Sequence, residues 1–278
     1  MNILGRSDLK IKDTIPYFEI SEMAKLGWIR HGFLTREGGV SPSPYESLNL
    51  GVDSGDSIDH VSKNKHLIAQ AFGFDPGNLI LPDQIQKDRI LILKESINTL
   101  PSLLEYDALI TNAPDRFLGI LTADCLPILV VDRRKRVIAA IHAGRPGTGL
   151  HITTKVLKKM KEEFDCSPDD YLIGLGPLIG PCCYEIDKKV FLPEWESFSM
   201  SIGDGKWMLD LATINIAQMK KEGVNEQQII VVDLCTKCDH DLFFSYRKEG
   251  RTGRQLSFIG IIQPNDKCLS PIGGWENG

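Results

Sequence analysis

The sequence predicts an α/β-type fold with mixed β-sheets, in one domain that spans residues 1–278. Short apolar runs crowd the centre of the chain and are typical of strands buried on both faces. After Gly147 the apolar residues change to a helical spacing. No internal repeat, low-complexity tract or Pro/Ser-rich linker divides the sequence, so nothing in it marks a domain boundary.

Local residue patterns predict the individual elements. Segment 28–35 (WIRHGFLT) is rich in β-branched and aromatic residues, as strands are, and runs into a Gly/Pro/Ser loop. Further strands are predicted at NLILP, RILIL, YDALIT, FLGILTADCLPILVVD, RVIAAIHAG, YLIGLG, QIIVVDL and QLSFIGII. Helices are predicted at 57–72, after Gly147, at 187–194 and at 210–222. The Gly- and Pro-rich last ten residues are predicted to form a loose tail.

Composition and charge narrow the classes of function. The net charge of −5 argues against a general binder of nucleic acid or of anionic membranes, because phosphate binding needs a basic surface. No run approaches the ~18 apolar residues that span a bilayer, and the N-terminus lacks the apolar stretch of a signal peptide. The seven cysteines are an odd number, which favours reduced thiols over a disulfide framework. We therefore expect a cytoplasmic protein.

Cys125 lies within an apolar, strand-like run, and the next such run carries His142. The polar turn DRRKR separates TADCLPILVVD from RVIAAIHAG, so a hairpin would bring His142 near Cys125. A Cys and a His that meet at strand ends suit either a nucleophile pair or two ligands of a transition metal. The alternative is a buried thiol beside a hydrogen-bonded histidine. On a strand, Asp124 would point away from Cys125 and hold a hydrogen bond behind the site.

Two glycine-rich loops indicate ligand contacts. HAGRPGTG leads from a strand into a helix, where exposed N–H groups favour phosphate or another anion, and Arg145 adds a positive charge. Arg36 lies in LTREGGVS, whose paired glycines permit close ligand approach. We expect its guanidinium to contact phosphate or ribose and not a structural carboxylate. An ordinary turn and a surface arginine are the alternatives.

Two further motifs, GPCCYEI and CTKCDHD, carry four cysteines: Cys182, Cys183, Cys235 and Cys238. A Cys-x-x-Cys motif with a second cysteine pair suits a second zinc site. Adjacent cysteines on a strand point to opposite faces, so both can bind one metal only if the chain turns there. Buried packing thiols are the simpler interpretation.

Together these motifs resemble the laccase-domain (multicopper polyphenol oxidoreductase, YfiH-like) family, whose members are understood as purine nucleoside phosphorylases. The resemblance covers most of the chain in the family's order. It rests on HGFLTREGGVS, SLNLG, DQIQKDRI, TADCLPILV, HAGRPGTG, GPCCYEI and CTKCDHDLFFSYRKEGRTGRQ. It implies a single α+β domain layered as helix, sheet, sheet and helix (α/β/β/α). The implied activity is phosphorolysis of adenosine, inosine, guanosine and methylthioadenosine, with adenosine deamination as a side reaction.

The resemblance also implies one metal site, usually zinc, on a His–Cys–His trio. Cys125 matches its cysteine and His142 its second histidine, and both are thereby candidate catalytic residues. Gln86 in QIQKD stands where the first histidine is usual, and a carboxamide oxygen is a poorer zinc ligand than imidazole. The expected site is therefore a weakened zinc site, with copper less favoured. The residues expected to bind substrate are Arg36, Asn49, Gln84 and Arg145.

Other departures from the family pattern also fall at the expected active site. Lys87 replaces a glycine, and Arg145 and Pro146 replace the usual Trp and Arg. The leading interpretation is a metal-assisted enzyme that takes purine nucleosides and phosphate; its oligomeric state is left open. Two alternatives remain: a purine-binding protein without turnover, and a hydrolase with Cys125 as nucleophile. Laccase-type oxidation ranks last, because several copper sites would need more than the six histidines present.

Overall fold

The computed structural model describes residues 2–94, 101 and 104–263, and the strands within these ranges form three sheets. The central sheet contains, in spatial order, β1 (Asn2–Leu4), β15 (Ile229–Val232), β11 (Tyr171–Leu175), β9 (Leu126–Asp132), β10 (Val137–Ala143), β7 (Ala108–Thr111) and β6 (Ile90–Leu93). The second sheet contains β2 (Lys10–Lys12), β3 (Ile15–Phe18), β4 (Ile29–Leu34), β16 (Gln255–Ile261), β8 (Phe117–Thr122) and β5 (Leu79–Ile80). The small sheet contains β12 (Glu185–Asp187), β14 (Lys206–Leu209) and β13 (Ser199–Gly203).

The α-helices of the described ranges differ widely in length. They are α1 (Ser21–Ala24), α2 (Ile58–Phe72), α3 (Arg145–Gly149), α4 (Ile152–Phe164), α5 (Leu211–Lys221) and α6 (Tyr246–Glu249). Helix α2 shows how local residues set the bounds. It begins after Ser57, whose hydroxyl accepts the Asp59 N–H, and ends at Gly73, which takes a left-handed φ of 70°. None of the helices in the described ranges is both long enough and apolar enough to cross a bilayer.

Three apolar cores stack the elements into four layers. The first lies between helices α4 and α5 and the central sheet, the second between the two large sheets, and the third between the second sheet and α2. Strand β9 shows the reason: Ile128 and Val130 enter the first core, whereas Leu129 and Val131 enter the second. Both sheets contain parallel and antiparallel pairs. The expected α+β fold with α/β/β/α layers is therefore confirmed.

The run FLGILTADCLPILVVD is two strands and not one. Strand β8 pairs with β16 in the second sheet, and β9 pairs with β10 in the central sheet. A bend at 123–125 joins them, where Asp124 has a φ of 92°. An unbroken apolar run does not reveal a change of sheet, because both strands are buried. The predicted β9–β10 hairpin is present, with His142 opposite Pro127.

The helix predicted at 187–194 is wrong. Strand β12 ends at Asp187, and a 3-10 helix begins only at Pro193, a residue suited to the first helical position. The small sheet and strands β1 to β3 were not predicted, because strands this short show too little periodicity. The predicted loose tail lies outside the described residues.

His31 on β4 gives the fold a testable pH dependence. Its Nε2 accepts the Ile20 N–H at 2.9 Å, and burial lowers the pKa of His31 to about 4 from the model-peptide value of 6.5. Between pH 6.5 and pH 4, His31 is protonated in the unfolded chain but stays neutral in the folded chain. This contribution to the free energy of unfolding is therefore complete above pH 6.5 and falls by about 3 kcal/mol in total as the pH drops toward 4.

Urea denaturation of the wild type and of His31→Gln between about pH 7 and pH 5 measures this effect. Glutamine can still accept the Ile20 N–H but does not titrate. We expect the stability difference between the two proteins to shrink as the pH falls. Parallel stability curves would show that His31 is not held neutral.

Candidate active site

An open cavity of about 540 Å³ lies beside the bend that joins β8 to β9. Its lining comes from residues 50–54, 81–84, 86, 121–123 and 125, together with His142, Tyr246 and Arg254. The volume is in the range of pockets that bind small molecules. Both large sheets contribute to it, since β8 ends and β9 begins at its wall.

The three predicted metal ligands meet in this cavity. A Cβ atom built on Gly144 would lie 2.9 Å from Gln86 Oε1, 3.1 Å from Cys125 Sγ and 3.5 Å from His142 Nε2. The three donor atoms therefore surround one small space that only a glycine leaves open. The hairpin explains the meeting, because Ala143 is opposite Leu126 and the next residues along are Gly144 and Cys125.

Gly144→Ala should fill this space without unfolding the chain. Gly144 has a φ of −68°, which alanine adopts freely, and the nearest atom to the new methyl group is the end of the flexible Gln86 side chain. We expect zinc affinity at this site to fall by at least about tenfold, while stability changes by no more than about 1 kcal/mol. Chelator competition and urea denaturation measure the two quantities. Unchanged zinc affinity would show that this space is not a zinc site.

Asp107, directly before β7, holds two members of the trio, His142 and Gln86, and was not predicted. Its Oδ1 accepts from His142 Nδ1 at 2.8 Å and from the Gln86 N–H at 3.0 Å, and its Oδ2 accepts the Lys87 N–H at 2.8 Å. The bond to Nδ1 leaves His142 Nε2 for the space beside Gly144. Carboxylates behind metal-binding histidines commonly fix the ring in this way. Its position in YDALIT, directly before an apolar strand, was the available signal.

The charges around His142 favour its protonated form. Burial alone would lower the pKa of His142, but the Cys125 sulfur and the Asp107 carboxylate outweigh burial and raise the pKa to about 9. These charges favour a cation between the half-buried Cys125 and the imidazole of His142. A proton or a metal ion can satisfy this environment.

Asp124 supports the site from behind, as expected, although it lies in the bend and not on a strand. Its carboxylate accepts from Thr236 Oγ1, Ser245 Oγ and the Arg247 N–H, each at 2.7 Å. The side chain is buried, and its backbone carbonyl accepts the Ile179 N–H at 2.9 Å. These bonds fix the residue that precedes Cys125.

Arg36 has the structural carboxylate partner that the sequence interpretation excluded. Its Nη1 contacts Glu249 Oε1 at 2.8 Å and the His240 carbonyl at 2.8 Å, and its Nε donates to the Glu46 carbonyl at 2.7 Å. The guanidinium also lies over the Phe244 ring, 4.5 Å from the centroid. It is not among the residues that line the cavity. The expectation that Arg36 does not contact a structural carboxylate is therefore wrong.

Arg36→Ala should therefore lower the free energy of unfolding by about 2 kcal/mol. The substitution leaves the partly buried Glu249 carboxylate and the carbonyls of Glu46 and His240 without their hydrogen-bond donor. Urea denaturation measures the loss. Arg30→Ala, at an exposed position on β4, is the matched control and should change stability by less than about 0.5 kcal/mol. Equal effects of the two substitutions would refute the structural role of Arg36.

The other predicted substrate residues have different surroundings. Gln84 lines the cavity, while its amide donates to the Leu121 carbonyl and accepts the Leu121 N–H, both at 2.8 Å. Asn49 is fully buried, and its Oδ1 accepts the Arg254 N–H at 2.9 Å, so it positions a cavity residue from behind. Arg145 begins α3 and forms a hydrogen bond with Tyr184. Gln84 and Arg145 thus lie at or near the site, whereas Asn49 supports it.

Arg254 and Tyr246 also line the cavity. Neither was predicted from the sequence as a site residue. The Arg254 guanidinium donates to the Thr252 and Gly253 carbonyls, and within the described ranges it forms no ion pair. Tyr246 is exposed at the rim. Both lie in the long motif that ends the family resemblance, but one sequence offers no means to separate cavity residues from their neighbours there.

A second group of residues could also hold a metal ion. The Sγ atoms of Cys182, Cys183, Cys235 and Cys238 all lie within 4.8 Å of one another. The adjacent cysteines occupy a turn and not a strand, which removes the objection that they must face opposite ways.

Known proteins resemble this chain in sequence and in fold. The family profile described as "Multi-copper polyphenol oxidoreductase laccase" matches residues 30–262. Purine nucleoside phosphorylase YlmD of Bacillus subtilis is 32% identical in an alignment 243 positions long, which covers 83% of this chain and 87% of that protein. A purine nucleoside phosphorylase of Bacteroides thetaiotaomicron is 35% identical in an alignment 251 positions long, which covers 84% of this chain and 92% of that protein. The crystal structure of Bacillus licheniformis YfiH superposes with a TM-score of 0.83 at 30% identity, covering 91% of this chain and 98% of that one.

Proposed function

Because the chain belongs to the multi-copper polyphenol oxidoreductase laccase family, we propose that it is a purine nucleoside phosphorylase that works in the cavity beside Cys125. The observation that carries the proposal is the convergence of Cys125, His142 and Gln86 at the wall of a cavity large enough for a nucleoside. Relatives named as phosphorylases align with more than four fifths of the chain and support the same reaction.

We propose that Cys125 and His142 hold one zinc ion, with Gln86 as a weak third ligand. The residues fit such an ion, because Asp107 directs His142 Nε2 toward the space that the Cys125 sulfur and the Gln86 oxygen also face. Sulfur and imidazole donors suit zinc, and the carboxamide lowers its affinity. When bound, the ion would supply Lewis-acid polarisation of the substrate.

The chain's own residues would position the two reactants. Arg254 brings a positive charge to the cavity, which Asp53 and Asp83 also line, and it forms no ion pair in the described ranges, so its guanidinium is available to phosphate. Arg145 adds a second charge near the site through its contact with Tyr184. Tyr246 at the rim offers a ring face on which a purine can stack. Holding both reactants in line is a large part of the rate enhancement in such a reaction.

In the proposed reaction a phosphate oxygen forms a bond to C1′ of the ribose. The C1′–N9 bond breaks, its electron pair leaves with the purine, and the purine takes up a proton. The products are the free base and the 1-phosphate of the sugar, which is ribose 1-phosphate for an ordinary ribonucleoside and 5-methylthioribose 1-phosphate for methylthioadenosine. We propose adenosine, inosine, guanosine and methylthioadenosine as substrates, with adenosine deamination as a side reaction, in a reducing cytoplasm that keeps Cys125 as a thiol.

Release of free base from these four nucleosides, measured by chromatography with and without phosphate, tests the proposal. We expect base release that requires phosphate, and slower formation of inosine from adenosine. Arg254→Gln should raise the KM for phosphate. Base release that does not need phosphate would show hydrolysis instead, and binding without release would show a purine-binding protein.

The Cys–His hydrolase is a second candidate, because the Cys125 sulfur and His142 Nε2 both face the space beside Gly144. Such a pair activates a thiol nucleophile. Iodoacetamide separates the candidates: a hydrolase would lose activity with or without added zinc, whereas zinc should protect the Cys125 of a metal-dependent phosphorylase.

A further inference from the structure

The four-cysteine group joins two turns that lie far apart in the sequence. Cys182 and Cys183 follow Gly180 in one turn, and Cys235 and Cys238 form the ends of the other. An isolated parallel bridge pairs Leu178 with Cys235 beside the group. The sequence alternative of buried packing thiols does not describe the group well, because Cys182 and Cys238 are exposed.

Two of the distances between the sulfurs are those of one tetrahedral metal ion, and all four sulfurs lie within 4.8 Å of one another. Cys183 Sγ lies 3.5 Å from Cys238 Sγ, and Cys182 Sγ lies 3.8 Å from it. In a tetrahedral ZnS₄ unit with bonds of about 2.3 Å, the sulfurs lie about 3.8 Å apart. An iron–sulfur cluster would space the thiolates more widely, since several irons and sulfides lie between them. The four cysteines are free thiols and none is joined in a disulfide.

The backbone around the group is arranged as it is around metal-bound thiolates. The Gly180 N–H donates to Cys235 Sγ at 3.3 Å, and the N–H groups of Lys237 and Cys238 also face that sulfur. N–H groups that point at a thiolate stabilise its negative charge and orient it toward a metal. A Cys-x-x-Cys turn with such bonds is the usual half of a structural zinc site.

We propose that Cys182, Cys183, Cys235 and Cys238 bind one structural Zn²⁺, separate from the site at Cys125. The ion would lock the two turns together, and both turns reach the active site. Thr236, inside the Cys-x-x-Cys motif, donates to Asp124 Oδ1 at 2.7 Å. Tyr184 directly follows Cys183 and contacts Arg145. The proposal does not depend on the proposed reaction, because it rests on these sulfurs alone.

Metal analysis of a Cys125→Ala/His142→Ala double variant tests the proposal. The protein is purified without added metal, washed with a mild chelator, and compared with the same variant carrying Cys238→Ser. We expect about one zinc per chain in the double variant and almost none after Cys238→Ser. Cys166→Ser, a substitution of a buried thiol outside the group, is the control and should leave the zinc content unchanged.

Cobalt substitution provides a readout that does not depend on the folding of a variant. Chelator-stripped full-length protein with the double substitution is titrated with Co²⁺. We expect the sulfur-to-cobalt charge-transfer bands and the intense d–d bands of a tetrahedral tetrathiolate site, at one equivalent of cobalt. Absence of zinc and of these bands, iron with inorganic sulfide in place of zinc, or thiol titration that finds a disulfide among the four would each overturn the proposal.

Discussion

Gln86→His is expected to raise zinc affinity at the Cys125 site by at least about 10–100-fold, and purine nucleoside phosphorolysis with it. Loss of a residue that only supports a metal ligand costs about this much, so gain of an imidazole ligand should restore no less. Gln86 Oε1 already lies in the space that Cys125 Sγ and His142 Nε2 surround. The backbone is also favourable, since Gln86 has a φ of 60° and histidine adopts the left-handed region more readily than most residues.

Chelator titration of zinc-loaded wild type and variant measures the affinity, and base release from inosine with phosphate measures the turnover. Gln84→His is the matched control, because the Gln84 amide bonds to the Leu121 backbone and not to the trio. A rise in zinc affinity without a rise in turnover would show that Arg145 and Pro146, which replace the family's usual Trp and Arg, do not support phosphate binding. If neither rises, Gln86 is not at the ligand position.

Cys125→Ala is expected to have the opposite effect, with zinc affinity at this site and phosphorolysis both reduced by at least about 100-fold. The substitution leaves one strong donor, His142 Nε2, and a thiolate is the ligand that contributes most charge to the proposed ion. Cys125 is only half-buried and lies in a bend, so the fold should survive the loss of its sulfur.

Two measurements on Cys125→Ala separate a lost ligand from a lost fold. Total zinc should fall from about two ions per chain to about one, which stays with the four-cysteine group. Urea denaturation should give a stability within about 1 kcal/mol of the wild type. Full retention of zinc and activity would show that Cys125 is neither a metal ligand nor a catalytic residue.

The apolar patterns predicted an α/β-type fold with mixed sheets because they were long and regular, whereas the α/β/β/α layering was implied by the family resemblance. The β9–β10 hairpin followed from the polar turn DRRKR, and with it the meeting of Cys125 and His142. The change of sheet at 123–125 could not be seen, since strands on both sides of it are equally apolar. The small sheet also escaped detection, because its strands have three to five residues and expose most of their side chains.

Residues that act through contacts between distant segments were hardest to predict. Asp107 reaches His142 only because β7 pairs with β10, and Arg36 meets Glu249 across more than 200 residues. An arginine beside two glycines looks the same in sequence whether it binds phosphate or a carboxylate. Cys182 and Cys183 likewise lie in a turn, so the argument that adjacent cysteines on a strand face opposite ways does not apply to them.

Phosphorus NMR of the protein with inosine and inorganic phosphate tests the central claim most directly. The proposed reaction transfers the ribose to phosphate, so the signal of ribose 1-phosphate should grow as inorganic phosphate is consumed, and Cys125→Ala should produce little or none. A spectrum in which inosine disappears while inorganic phosphate stays constant, or in which the wild type and Cys125→Ala give the same signal, would contradict a phosphorylase centred on Cys125.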